Sequence, residues 1–382
     1  MGSTGALVLA GMVAACGGAQ GERSSEAVVA GEERVADARV EARRHPLDAR
    51  KAETRGIDSV AIDQVYARAA ELPRLRCLLV ARHGEILRER CFRGPGLTSP
   101  ANVKSVSKSV MSALIGIAVA EGELSVDQPV APFFSEYLGA DEDPRKRAIT
   151  VGNLLSMQSG LERTSGESYG RWVASPNWVR YAITRPMVTE PGGRMLYSTG
   201  NTHLLSAILT EATGGSTYAY ARDRLFAPMG VRLPAWATDP QGIYFGGNEM
   251  RVTPRAMVRF GELYRNGGRH QGRQVVPEAW VRASLEPRTR SPWSGESYGY
   301  GWFVSEAAGH PMFYAWGYGG QFIFVVPDLE LTVVTTSDSE VERERGHLEA
   351  IRDLLRQGIV PAAEAGADPR DLAASLPVGP TG

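Results

Sequence analysis

Ser105-Val106-Ser107-Lys108 opens an apolar run from Val110 to Val119, and the reading of this stretch decides the fold. The run predicts a helix over Ser105 to Glu121, stopped by Gly122. Residues three apart on a helix share a face, so the Ser105 hydroxyl and the Lys108 amine can meet. In the first turn the backbone N–H groups are free and the helix dipole favours negative charge. A serine that attacks a carbonyl needs that setting and a nearby base. The chain holds only Lys51, Lys104, Lys108 and Lys146 among 42 basic residues, the rest being arginine. A lysine kept in so arginine-biased a chain suggests a need for an amine that can lose its proton.

Outward from this stretch, elements fall in a mixed order. Ile57 to Leu72 has helical spacing, and Leu75 to Ala81 and Glu85 to Phe92 read as strands joined at His83-Gly84. Helices are expected at Thr150 to Gln158, Asn177 to Thr184, Asn201 to Thr213, Thr253 to Arg265 and Pro277 to Ser284. The period then changes, with strands expected at Gly299 to Val304, Met312 to Trp316, Gln321 to Val326 and Leu331 to Thr336. A last helix is expected over Glu342 to Gln357, and Pro361 onward reads as a tail. The fold class expected is α/β of the α+β type. One antiparallel sheet is built from N- and C-terminal strands and flanked by helices, with a helical insertion at about 123–290. Cys77 and Cys91 fall on the first two strands and are expected to be two separate buried thiols.

Composition narrows the function. Hydrophobic residues make up 43%, enough for a large core, and a formal net charge of -1 without a basic stripe argues against a nucleic-acid partner. No run of eighteen apolar residues exists to span a membrane. At the N-terminus, the apolar Ala6 to Ala15 leads into Val13-Ala14-Ala15-Cys16 and Gly17-Gly18. This resembles a bacterial lipobox, so residues 1–16 are expected to be a signal segment lipidated at Cys16. Residues 17–55 then form a disordered tether, 56–360 the folded domain and 361–382 a disordered tail. The expected location is the periplasm or cell surface, with membrane attachment only through Cys16.

Two further motifs join the first. Tyr197-Ser198-Thr199-Gly200-Asn201 follows a Pro191-Gly192-Gly193 turn, and its phenol could relay the serine proton if a lysine lowered its pKa. Gly317-Tyr318-Gly319-Gly320 lies between two strands, where glycines leave N–H groups bare for an oxyanion. Gly166-Glu167-Ser168-Tyr169-Gly170 and Gly295-Glu296-Ser297-Tyr298-Gly299 both fit G-x-S-x-G, but neither follows a buried strand. The six histidines and three cysteines show no metal-binding spacing, so neither a metal nor a cofactor is expected.

Together these residues resemble the penicillin-recognising serine hydrolases, in the branch of class C β-lactamases, family VIII carboxylesterases and 6-aminohexanoate-dimer hydrolases. The resemblance runs from about 57 to 358. It also takes in Ile149 to Leu161, Pro191 to Ser198 and Arg251 to Arg255. It implies a β-lactamase/transpeptidase-like fold and acyl transfer through Ser105, with Lys108 and Tyr197 sharing the base role. The N–H groups of Ser105 and Gly320 would hold the oxyanion, while Gly319, Tyr318, Asn201, Tyr169 and Trp316 line the substrate. Tyr169 falls where the oligomer hydrolases place a mobile tyrosine that contacts substrate. Two departures matter. The second motif is usually Tyr-x-Asn, and here Thr199 takes the third place with Asn201 two residues on. The third is usually Lys-Thr-Gly or His-Thr-Gly, and here Gly317 replaces the cation that helps to bind a substrate carboxylate. The expectation is therefore an esterase or amidase acting on a small molecule. A β-lactamase or D-alanyl-D-alanine peptidase is the first alternative, and a non-catalytic ligand-sensing lipoprotein the second.

Overall fold

The computed structural model describes residues 56–139, 143–340 and 345–366. The lipobox and Cys16, the tether and most of the tail lie outside them. Helix α1 (Ser59–Glu71) starts where Asp58 accepts from the N–H groups of Val60 and Ala61, and it buries Ile62, Val65, Tyr66 and Ala69. Strands β1 (Leu75–Arg82) and β2 (Glu85–Cys91) follow as a hairpin. Both turn residues take positive φ, His83 at 52° and Gly84 at 81°, as a tight two-residue turn demands. The register sets Cys77 directly opposite Cys91, and the two are joined in a disulfide. This corrects the expectation of separate thiols, which turned on a register that strand patterning alone does not fix.

The other sheet strands all come from the C-terminal part. They are β3 (Thr289–Arg290), β4 (Ser297–Tyr298), β5 (Phe303–Ala307), β6 (His310–Gly317), β7 (Gln321–Val326) and β8 (Leu331–Ser337). The sheet runs β2-β1-β8-β7-β6-β5-β4-β3, and its pairs are antiparallel. The expected strand at Gly299 to Val304 is displaced to Phe303. Gly301 at φ 80° bends the chain there, and a Cβ on Gly299 would meet Ser284 O at 2.2 Å.

Side chains alternate across the sheet. Phe313, Ala315, Ile323, Val325 and Val334 join the main core. Helix α8 (Pro254–Arg265) closes on this face at Gly261, where a Cβ would stand 2.7 Å from Thr332 Cγ2. On the other face Tyr314, Phe322 and Phe324 pack together, with ring centroids 4.6–6.1 Å apart. Helix α10 (Arg345–Leu354) covers them, with Arg352 over Tyr314. The chain then continues into α11 (Val360–Ala365), contrary to the expected tail. A π-helical turn, Leu355–Ile359, carries the chain from α10 into α11 just ahead of Pro361, and Ala362 O accepts from Asp58 N at 2.9 Å.

Between the two groups of strands lie the remaining helices. The central one, α2 (Ser107–Ala120), is buried on every side from Ser107 to Ala118, the mark of a helix inside a large core. Around it are α3 (Val151–Leu155), α4 (Tyr169–Val173), α5 (Trp178–Ile183), α6 (Thr199–Thr213), α7 (Thr217–Tyr220) and α9 (Glu278–Leu285). Gly116 admits α9, since a Cβ there would overlap the Trp280 indole at 2.1 Å.

Candidate active site

Ser105 lies in a 3-10 turn, Lys104–Val106, that precedes α2 rather than in α2 itself. Asn102 Oδ1 accepts from Lys104 N at 2.9 Å, and Ser107 Oγ donates to Lys104 O at 2.7 Å. Lys104 is held at φ 50°, a left-handed conformation that a non-glycine residue adopts only under local constraint. The result places Ser105 at the surface of the cleft and Lys108 beneath it.

Lys108 is 1% exposed. Its Nζ lies 2.9 Å from Ser105 Oγ, 3.2 Å from Thr199 Oγ1 and 2.7 Å from Gly247 O. All three partners are neutral oxygens. Burial without a compensating carboxylate pulls the amine down to about 7. Tyr197 meets Ser105 from the other side. Its phenol lies close enough to the Ser105 side chain to interact with it, and its ring centroid is 5.1 Å from Lys108 Nζ. Burial pushes this phenol well above its ordinary value, only partly opposed by its interaction with Ser105. The expected lysine-lowered tyrosine is therefore reversed: the lysine is the group brought toward neutrality and the tyrosine keeps its proton.

The second motif is resolved by the start of α6. Thr199 is its first residue, and Thr199 Oγ1 both contacts Lys108 and shares a hydrogen bond with Ser165 Oγ at 2.9 Å. Asn201, expected near substrate, is instead 2% exposed, and its Oδ1 accepts from Ser159 Oγ at 3.1 Å. Thr199 takes the supporting place that the sequence left open between the two.

The third partner of Lys108 was not legible in the sequence. Gly246 and Gly247 lie so close to α6 that Cβ atoms would meet Thr202 O at 2.0 Å and Thr202 Oγ1 at 2.1 Å. Only glycines let the Gly247 carbonyl reach Lys108. The loop that carries them is tied to α6 by His203 Nε2 and Asp239 Oδ2, 3.0 Å apart and both fully buried. Asp239 Oδ1 also accepts from the N–H groups of Gln241 and Ile243. The next residue, Asn248, donates to the Tyr169 hydroxyl at 2.9 Å, so Tyr169 is attached to the loop that supports Lys108.

At the third motif, β6 packs on the turn carrying Ser105. A Cβ at Gly317 would stand 2.2 Å from Val103 O, so the cation usual in this place has no room. The Gly320 N–H closes the turn onto Gly317 O at 3.3 Å, and Gly320 O accepts from Thr335 Oγ1 at 2.9 Å. Gly320 is thus spent within the turn and is not the expected bare donor. Tyr318 N has no backbone partner among the described residues, and its side chain is 43% exposed. A Cβ on Gly319 would meet Ser339 Cα at 2.8 Å, so Gly319 is packed against the loop after β8. Trp316 packs on Phe303 and Phe322 and stands two rings, Phe303 and Tyr298, away from Tyr197. Among the described residues no group of three or more His, Cys, Asp or Glu is placed to hold a metal ion.

A buried lysine under a serine at the start of a core helix, roofed by a tyrosine and edged by a sheet strand, defines an acyl-transfer type of site. The chain belongs to the Beta-lactamase family, whose model matches residues 77–356. It is 25% identical over 236 residues to the 6-aminohexanoate-dimer hydrolase of Paenarthrobacter ureafaciens, covering 58% of this chain and 59% of that protein. It is 30% identical over 196 residues to esterase EstB of Burkholderia gladioli, covering 45% of this chain and 50% of that one. The matches thus span between half and three fifths of the length of these relatives. Among solved structures, a penicillin-binding protein homologue from Caulobacter crescentus superposes with a TM-score of 0.65 at 19% identity, covering 81% of this chain and 97% of that one. EstCE1, a hydrolase with promiscuous acyltransferase activity, gives 0.64 at 18%, covering 78% and 97%. Both share the fold.

Proposed function

We propose that this chain is a serine hydrolase that cleaves an ester or amide bond of a small, uncharged substrate through an acyl-enzyme. The observation that carries this reading is the Lys108 amine, 2.9 Å from Ser105 Oγ among neutral oxygens only. A neutral amine has two N–H bonds and one lone pair. Gly247 O takes one N–H and Thr199 Oγ1 the other, which leaves the lone pair for the Ser105 proton.

Ser105 Oγ attacks the carbonyl carbon as its proton passes to Lys108, and the carbonyl electron pair moves to oxygen. The N–H groups of Ser105 and Tyr318 hold that oxyanion. Ser105 is second in its turn, where the N–H has no intrahelical acceptor. The oxyanion then re-forms the carbonyl, the bond to the leaving group breaks, and the Tyr197 hydroxyl supplies its proton. Water then attacks the acyl-enzyme with the same groups acting in reverse. In this second half of the cycle Tyr197 recovers a proton from the attacking water, and Lys108 returns the proton it took to Ser105 Oγ as the acyl group leaves.

The closed position at Gly317 favours esterase or amidase over β-lactamase action, since penicillins carry a carboxylate that wants a cation there. The names of the two curated relatives, an esterase and an amide-dimer hydrolase, support the same side. Short-chain p-nitrophenyl esters should show a larger kcat/KM than a chromogenic cephalosporin, and a fluorophosphonate should label Ser105 but not Ser168 or Ser297. A larger constant for the cephalosporin would reject the preference.

The chain is further proposed to be an exported lipoprotein attached through Cys16. The Cys77–Cys91 disulfide supports this, because such bonds persist in oxidising compartments. Palmitate should label cells expressing the full chain and fail to label the Cys16→Ala variant; equal labelling would reject the anchor.

A further inference from the structure

Five large apolar side chains are strongly exposed among the described residues: Val60, Ile86, Val188, Trp293 and Tyr318. Three are isolated aliphatics of the kind any surface carries. The two aromatics stand at the cleft. Trp293 is 47% exposed, yet its ring centroid lies 5.7 Å from that of Tyr197 at an interplanar angle of 87°. An edge-on contact of this kind uses one rim of the indole and leaves a face for something else.

The indole is not a stray loop side chain. It stands at the tip of the β3–β4 hairpin, whose turn is held by Gly295 N to Ser291 O at 2.9 Å and Ser294 N to Ser291 Oγ at 3.2 Å. Ser291 N donates to Glu296 O at 2.9 Å, and Arg290 donates to Gly295 O at 3.2 Å. The same hairpin supplies Tyr298, which packs on Tyr197 at 6.3 Å. One hairpin therefore grips the proton-donating phenol from two sides and holds a large apolar ring open to solvent beside it. The nearest formal charge on the Ser105 turn, Lys104, is already paired with Glu249 and Glu340.

We infer that Trp293 is a specificity-determining residue that forms a leaving-group subsite for flat, apolar, uncharged alcohols or amines. The side of the site is set by chemistry. Tyr197 protonates the departing group, so a ring against Tyr197 borders the space into which that group departs. Resting on the hydrolase reading above, the inference names its substrate class: esters or amides whose leaving group is aromatic.

The test pairs two acetate esters with the same acyl group, 1-naphthyl acetate and ethyl acetate. Trp293→Ala should lower kcat/KM for the naphthyl ester about tenfold, mostly through KM, and change the ethyl ester less than about twofold. Trp293→Phe should restore most of the loss, and the melting temperature should hold because the ring is half exposed. Equal losses on both esters, or none on the naphthyl ester, would overturn the inference. A second arm needs no turnover: 1-naphthol binding to Ser105→Ala, followed by NMR, should weaken about tenfold on adding Trp293→Ala. Unchanged binding overturns the subsite. Lost binding in a protein that hydrolyses neither ester upholds the subsite and rejects the hydrolase reading instead.

Discussion

The rim of the cleft around Lys104 and its floor around Lys108 hold the same side chain, four residues apart, in opposite company. Lys104 is part-exposed and meets two carboxylates, Glu249 at 3.7 Å and Glu340 at 3.5 Å. Lys108 meets a serine, a threonine and a backbone carbonyl, and almost no water. A fixed charge is stabilised by opposite charge, whereas a base needs burial and a free lone pair. The short sequence Lys104 to Lys108 supplies both, and the surrounding chain decides which lysine does chemistry.

The sharpest break of this comparison is to remove the proton acceptor while keeping charge. Lys108→Arg and Lys108→Ala should each lower kcat by about 10³-fold or more, because a guanidinium cannot surrender its proton. If Lys108→Arg kept most of the activity, Lys108 would be only a fixed charge, like Lys104. Tyr197→Phe should cost about 10²-fold in kcat for an ester with a poor leaving group and less for p-nitrophenyl acetate, whose leaving group needs no proton. Equal losses on both would deny Tyr197 its acid role. Thr199→Val removes one neutral oxygen from Lys108 and should lower kcat about tenfold, with far-ultraviolet circular dichroism unchanged. Lys104→Met should lie at the bottom of the series, within about threefold of wild type, since a part-exposed ion pair contributes little.

The floor also carries a stability signature that the rim lacks. Lys108 titrates at about 7 in the folded chain and near 10.4 when unfolded. The unfolded state therefore binds the extra proton between these values, and stability falls as pH drops from about 10 to 7 before levelling off. Lys108→Met should be more stable than wild type in urea titrations, by on the order of 4 kcal/mol at neutral pH and by much less at pH 10. A gain independent of pH would show that Lys108 stays charged in the folded protein.

Much of this site was legible because its signals are local. Ser105 and Lys108 declare themselves by spacing on one helix start, and Tyr197 by its place before another. The Gly247 carbonyl did not, since it reaches Lys108 from 139 residues away and has no side chain to announce it. Only the glycine pair Gly246-Gly247 hinted at close backbone approach. Thr199 and Asn201 were indistinguishable until α6 was seen to begin at Thr199 and to turn Asn201 inward. Gly320 fitted an oxyanion donor by composition, yet its N–H is consumed by the turn that the glycines make possible. That one sheet is built from strands at both ends of the chain followed from strand patterning, whereas its strand order did not. Nor did the Cys77–Cys91 bridge and α11, because one depends on register and the other on docking against residues near Asp58.

Catalysis requires the Lys108 amine to be neutral at working pH, and with four lysines in the chain its titration can be read directly. With lysine labelled at 13Cε, NMR spectra across pH should show one resonance that titrates at about 7 and disappears in Lys108→Ala. If that resonance instead titrated near 10.4, the ordinary value for lysine, Lys108 would be a charge in the floor and the account would fail.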